Sequence, residues 1–144
     1  MEKAKINNQL CFPLYLASKE ITRIYNEKLK PFNLTYTQYI VMLYFWEVKS
    51  SNLKEMAKAL MLDSSTLTPI LKKLEIKGFV LRARSAKDER NLCITLTKQG
   101  EQLQDALMDI PEQVKEYCTL SPQEAQALQK MTIQLVSDFR KQDK

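Results

Sequence analysis

From Leu10 to Leu29 the apolar residues Leu10, Leu14, Ala17, Ile21, Ile24, Tyr25 and Leu29 return every three or four positions. That spacing makes one face of an amphipathic helix. Pro13 fits the start of this helix if its regular turns begin there, and an earlier start predicts a bend near Cys11. Pro31 and Asn33 end the element. Thr35, with Gln38 three residues on, reads as a capping box for a second helix. Its run from Tyr39 to Trp46 is apolar nearly all round and belongs at the centre of a domain. After Asn52, the positions Leu53, Met56, Ala57 and Leu60 follow the i, i+3, i+4, i+7 rule of a short third helix. Met61-Leu62 then lead to Asp63 or Ser64 as N-cap of a fourth, with Leu67, Ile70, Leu71 and Leu74 as its core stripe and Lys77-Gly78 as its stop.

Beyond Gly78 the period changes. Phe79 to Ser85 and Asn91 to Thr97 read as strands, with Leu92, Ile94 and Leu96 alternating against polar neighbours, and the charged residues between them form a hairpin loop. Thr97 predicts the cap of a long helix through Cys118, interrupted or bent at Pro111. Ser121-Pro122-Gln123-Glu124 opens a final helix to about Lys141. The expected class is mainly α with a small β-hairpin wing: a winged helix-turn-helix within one domain spanning 1–144, flanked by amphipathic helices.

Composition narrows the function. The 144 residues, 44% of them hydrophobic, suffice for one buried core, and no repeat or linker divides them. Two glycines leave no room for a glycine-rich phosphate loop, which argues against nucleotide-dependent chemistry. There is no histidine, and Cys11, Cys93 and Cys118 show no Cys-x-x-Cys spacing, so neither metal nor cofactor is expected. No apolar run reaches eighteen residues and the N-terminus lacks a signal-peptide pattern, so the expected location is cytoplasmic, away from membranes. The net charge of +5 is modest. Its distribution is not, since seven basic residues between Pro69 and Leu92 face three acidic ones.

The helix start and the charged hairpin together point to double-stranded DNA. A recognition helix needs short hydrogen-bonding side chains at its N-terminal end, because bulky ones hold the backbone away from base edges. Ser64, Ser65, Thr66 and Thr68 supply them, and Pro69 adds an apolar surface for thymine methyls. Lys72 and Lys73 follow one turn on, where phosphates flank the groove. In the hairpin, Arg90 is placed to enter a narrow minor groove, Asp88 to orient it, and Arg82, Arg84 and Lys87 to contact the backbone.

The segment Leu60 to Glu75, with Asp88-x-Arg90-x-x-x-Ile94 in the wing, resembles the MarR (multiple antibiotic resistance regulator) family. Gln9-Leu10-Cys11-Phe12, followed by Tyr15, Tyr25 and Thr35-Tyr36-x-Gln38-Tyr39, resembles its thiol-based branch: the organic hydroperoxide resistance repressors and their staphylococcal redox-regulator relatives. Pro13 departs from that pattern. The resemblance implies a non-enzymatic, MarR-type α/β homodimer on a pseudo-palindromic operator. Its winged lobe covers about 34–99 and its dimerisation helices about 8–30 and 98–142.

The same resemblance implies a repressor that senses organic hydroperoxide or another oxidant through Cys11. Tyr15, Tyr25 and Tyr36 would hydrogen-bond the sulfur, and Cys118 of the other subunit would resolve the oxidised cysteine into an intersubunit disulfide. A position near a helix start also favours an anionic sulfur through its unsatisfied amide groups. Two other readings stay open: a regulator released by a small aromatic ligand, with Cys11 incidental, and a thiol peroxidase. Cys93 receives no role.

Overall fold

In the computed structural model, residues 3–84 and 92–143 are described, and they fall into two compact units, Met1–Ile110 and Pro111–Lys144. The proposed wing-tip residues Lys87, Asp88 and Arg90 lie outside the described residues.

The first unit opens with a short 3-10 turn, Ile6–Asn8, and helix α1, Cys11–Leu29. Regular turns thus begin two residues before Pro13. The proline is the third helical residue, where an N–H has no intrahelical acceptor, so the ring removes no helical hydrogen bond. A second 3-10 turn, Lys30–Phe32, is stopped by Asn33 in the left-handed conformation (φ 56°), one that asparagine tolerates better than most residues.

Helix α2, Tyr36–Val48, begins with the expected capping box: the Gln38 N–H donates to Thr35 Oγ1 and the Thr35 N–H to Gln38 Oε1. It carries the core residues Tyr39, Val41, Met42, Phe45 and Trp46. Helix α3, Leu53–Leu60, is capped by Asn52, and α4, Ser64–Ile76, buries the stripe Leu67, Ile70, Leu71 and Leu74 against α2 and α3. Gly78 then takes a positive φ of 82°, the left-handed turn that glycine adopts without a Cβ penalty.

Three strands form the sheet, where the sequence predicted two. Strand β1, Ser50–Asn52, pairs antiparallel with β3, Leu92–Leu96, which pairs on its other side with β2, Val80–Arg84, giving the order β1-β3-β2. The extra strand is three polar residues long and has no apolar alternation. Its pairing comes from register (Ser51 opposite Ile94) and from Ser51, buried and bonded to the Tyr44 hydroxyl at 2.8 Å.

Thr97 caps α5, Lys98–Leu107, through the Gly100 N–H. Gly100 is a point of close approach: a Cβ there would lie 2.2 Å from the Phe79 carbonyl oxygen. The Gly100 carbonyl accepts the Trp46 indole N–H at 2.9 Å, tying α5 to α2. The predicted long helix through Cys118 breaks earlier than Pro111, at Met108 and Asp109. Pro111 instead sits in the first turn of α6, Ile110–Lys115, where the missing N–H is harmless. Cys118 lies beyond α6.

In the second unit, Ser121 and Glu124 form the second capping box and open α7, Pro122–Arg140. No residue of α7 is buried, and Met131, Ile133 and Phe139 are each more than half exposed. Among the described residues no helix is long and apolar enough to cross a membrane.

Candidate nucleic-acid interface and thiol site

Helices α3 and α4 join through Met61, left-handed at φ 55°, and Leu62, the short turn of a helix-turn-helix. Asp63 occupies the N-cap position of α4 with an extended backbone and no capping bond from its carboxylate. The leucine stripe anchors one side of α4 in the core. By helical geometry, the opposite side at the first turn presents Ser64, Ser65 and Thr66, all exposed, with Pro69, Lys72 and Lys73 exposed further along.

Thr68 differs from the other hydroxyls. Its Oγ1 donates to the Ser64 carbonyl at 2.7 Å, so its hydrogen is used within the helix and only acceptor capacity remains. Pro69, in the helix interior, lacks the N–H that would reach the Ser65 carbonyl, and that oxygen lies on the same turn as the short side chains.

On the wing strands, Arg82 is turned inward. Its Nη2 meets Glu75 Oε1 at 3.1 Å while its own backbone N–H donates to Glu75 Oε2 at 3.0 Å; the side chains are 21% and 32% exposed. These hydrogen bonds hold the Glu75 carboxyl below its ordinary range. The Arg82 charge is therefore engaged inside the lobe, joining the end of α4 to β2. Arg84, at the last position of β2, is exposed. Two cations that the sequence reading passed over, Lys54 and Lys58, are exposed on α3. Their apolar neighbours at helical spacing were the signal: a helix with one buried face presents its lysines on the other.

The thiol residues are dispersed along the chain. Cys11 is the first residue of α1 and exposed, and Cys118 is exposed in the irregular stretch between α6 and α7. Cys93, on β3, is partly covered, with its sulfur 3.2 Å from the Ser50 hydroxyl. Tyr15 lies one helical turn from Cys11, on the same face, and is exposed with the Lys19 ammonium 5.5 Å from its ring centre. Tyr25 is fourteen residues along α1, an axial distance of about 21 Å. It stacks on Tyr36 at 4.5 Å between ring centres and on Tyr39 at 5.7 Å. Burial, foremost, raises all three hydroxyls above their ordinary value, and proximity of the rings adds to it at Tyr25 and Tyr39. The Tyr36 N–H is fixed by Asn26 Oδ1 at 2.8 Å. Within one chain, then, Tyr15 is near the sulfur while the Tyr25–Tyr36 stack is a helix length away. Among the described residues no three metal-ligating side chains converge.

Known proteins share the sequence pattern and the fold. The family profile described as transcriptional regulator SarA/Rot matches residues 23–107. The HTH-type transcriptional regulator SarZ of Staphylococcus epidermidis is 43% identical over 128 residues, 89% of this chain and 86% of that protein. AbfR of the same species is similar in its reduced form bound to DNA (38% identity, TM-score 0.77, 90% and 91% of the two chains) and in its disulfide form (40%, 0.67, 91% and 92%). The fold also matches a mutant MarR from E. coli complexed with operator DNA (24% identity, TM-score 0.75, 92% and 99%). With its winged helix-turn-helix and this extent of similarity, the chain belongs to the SarA/Rot family of transcriptional regulators, built on the MarR-like fold.

Proposed function

We propose that the protein is a redox-responsive repressor that binds a pseudo-palindromic operator as a homodimer and leaves it when Cys11 is oxidised. The observation that carries the DNA reading is the exposed row Ser64, Ser65 and Thr66 at the first turn of a helix whose other face is locked into the core. In this reading the row meets base edges in the major groove. Thr68 accepts rather than donates, Pro69 packs on thymine methyls, and Lys72 and Lys73 neutralise flanking phosphates. Arg84, Lys87 and Arg90 serve the wing on the sequence argument, Asp88 orienting Arg90. Arg82 contributes by holding the wing to α4. Reduced AbfR bound to DNA, at 38% identity, supports the assignment.

The surface left uncovered supports dimerisation. α7 buries no residue and α1 only Leu29, while Leu16 and Ile21 of α1 and Leu10 just before it are exposed. A second copy supplies the missing apolar contacts and a second recognition helix. Two-fold symmetry then places the pair about 34 Å apart or at a multiple of it, and the operator shares that symmetry.

For the switch, the Cys11 thiolate attacks the outer oxygen of an organic hydroperoxide. The O–O bond breaks, the sulfur becomes a sulfenic acid, and the alkoxide takes a proton from water. The thiol of Cys118 in the other copy then attacks that sulfur and expels water, leaving a disulfide. The two α-carbons must come within about 7 Å for this, and Cys118 lies just past α6, its own N–H held by the Lys115 carbonyl at 2.9 Å. The resemblance to the thiol-based branch implies that in the reduced dimer the Tyr25–Tyr36 pair reaches the sulfur from the opposite subunit, and Tyr25 lying about 21 Å along α1 from Cys11 in its own chain is compatible with that; Tyr15 is the partner from the same helix. The existence of a disulfide form of AbfR, at 40% identity, supports a disulfide switch here.

The test is operator binding by fluorescence anisotropy with and without cumene hydroperoxide. Parent protein is expected to dissociate on oxidation and to give a dimer-sized band on non-reducing gels. Cys11→Ser should stay on DNA, and neither Cys11→Ser nor Cys118→Ser should give the band. A Cys11→Ser protein that leaves the operator as readily as the parent removes thiol sensing, and would bring forward release by a small ligand.

A further inference from the structure

The C-terminal end of α4 carries a lysine that does not point to solvent like its neighbours Lys72 and Lys73. The Lys77 ammonium donates to two oxygens, the backbone carbonyl of Asn33 and, at 2.8 Å, the side-chain Oε1 of Gln38. Both acceptors are themselves fixed. Asn33 is the left-handed residue that closes the α1–α2 connection, with its own N–H on the Lys30 carbonyl. Gln38 is 3% exposed, and its Oε1 also accepts the Thr35 N–H of the capping box. Among the described residues no carboxylate takes part in the cluster. Burial foremost, and then repulsion from Lys73 one turn away, push the Lys77 ammonium below its ordinary value. A partly buried cation held by neutral oxygens is a poor source of stability. It does fix direction, since two acceptors from one rigid turn define where the end of α4 lies.

We infer that Lys77 is a positioning residue for DNA recognition, fixing α4 against the α1–α2 turn so that Ser64, Ser65 and Thr66 at its far end meet the bases in register. This rests on α4 being the reading helix, as proposed above. The leverage is geometric. Thirteen residues make a helix about 20 Å long, so a tilt of about 3° about the Lys77 end shifts the first turn by about 1 Å. That exceeds the roughly 0.5 Å window of a good N–H···O or O–H···O distance. The same turn carries Asn26–Tyr36 and Thr35–Gln38 hydrogen bonds, so the anchor also joins α1, the helix that begins at Cys11, to the reading helix.

The contribution is separable from a phosphate contact by its salt dependence. A lysine on phosphate steepens the log–log slope of affinity against salt by about one unit, and its removal makes the slope shallower by that amount. A lysine that acts by positioning lowers affinity and leaves the slope unchanged. Lys77→Met removes the donor. Lys77→Arg keeps the charge but replaces a compact ammonium by a longer planar fork that does not fit the same two acceptors.

The experiment is titration of the reduced dimer with its operator at several salt concentrations, at a temperature where circular dichroism shows each variant folded. Expected for both variants is about a tenfold loss of affinity with the parent's slope. An undiminished affinity for both overturns the inference, since Lys77 then serves stability alone. A shallower slope for Lys77→Met with affinity kept by Lys77→Arg also overturns it, by making Lys77 a phosphate contact. If Lys77→Met fails to fold, Lys77→Arg decides by the same criteria. Lys72→Ala in the same series tests the underlying reading: if it weakens binding with a shallower slope while the Lys77 variants do nothing, only the positioning role fails. If none of the three changes binding, α4 is not the reading helix.

Discussion

Gly100→Ala tests whether the wing is fitted to the helical core by direct backbone contact. A Cβ at this position would lie 2.2 Å from the Phe79 carbonyl oxygen, 2.8 Å from Leu96 Cδ1 and 3.1 Å from the Phe79 carbonyl carbon. Leu96 can yield by rotating. The Phe79 carbonyl cannot, because it accepts the Thr97 N–H at 3.1 Å at the point where β2 enters the sheet. Bringing the methyl to a tolerable 3.0 Å or more requires about 0.8 Å of backbone movement, enough to break or badly stretch that hydrogen bond. Adjacent bonds share the strain: Thr97 Oγ1 donates to the Gly78 carbonyl at 2.6 Å and accepts from Gly100 N, while Trp46 donates to the Gly100 carbonyl. One lost hydrogen bond costs about 1 kcal/mol and overpacking about 1–3 kcal/mol, giving about 2–4 kcal/mol in all. For a chain of this size that is a fall in thermal midpoint of order 10 °C. Circular dichroism melting at fixed protein concentration measures it, with Trp46→Phe as the companion expected to lose about 1 kcal/mol. A Gly100→Ala midpoint within 2 °C of the parent would refute the close-approach argument.

Removing the first capping box by Thr35→Ala is expected to cost about 1 kcal/mol, read as a lower urea midpoint at unchanged m-value. The Tyr25, Tyr36 and Tyr39 hydroxyls titrate above their ordinary value of 10.0 in the folded protein. The unfolded chain then releases protons first, so their stabilisation is full below pH 10 and is lost as pH rises beyond it; melting between pH 8 and 11 should show the decline, reduced in Tyr36→Phe. Glu75 is shifted the other way, below 4.5, by Arg82. Its contribution is present above pH 4.5 and is lost as pH falls further, so Glu75→Gln should flatten the midpoint's dependence on pH between 5 and 3.

The thiol proposal divides along the same line of local against distant information. The position of Cys11 at the first turn of α1 was legible from the apolar period that follows it, and Tyr15 from its four-residue spacing. Where Tyr25 and Tyr36 lie was not. Their stacking, eleven residues apart in sequence but joined across the α1–α2 turn with Asn26 on the Tyr36 amide, needs the two helices packed. The loss of helical structure before Cys118 was likewise misplaced. Pro111 marked it in sequence, but a proline in a first turn is tolerated, and the break falls just upstream at Met108 and Asp109.

What the sequence by itself determined are features decided within about one helical turn. The Thr35–Gln38 and Ser121–Glu124 capping boxes, the buried stripe Leu67, Ile70, Leu71 and Leu74, and the exposed hydroxyls on the opposite side of α4 all follow from spacing. These are enough to specify a winged helix-turn-helix. Tertiary structure alone decided which of many similar polar groups meet. It made a strand of the polar Ser50–Asn52, turned Arg82 from a surface cation into the partner of Glu75, and selected Lys77 from a lysine-rich helix end to bridge Asn33 and Gln38, 44 and 39 residues away. The physical reason is range. Caps and stripes are set by the 1.5 Å rise and 3.6-residue period of the chain, whereas a long, charged side chain finds its acceptor only when the backbone elements carrying both have already been brought together by the core.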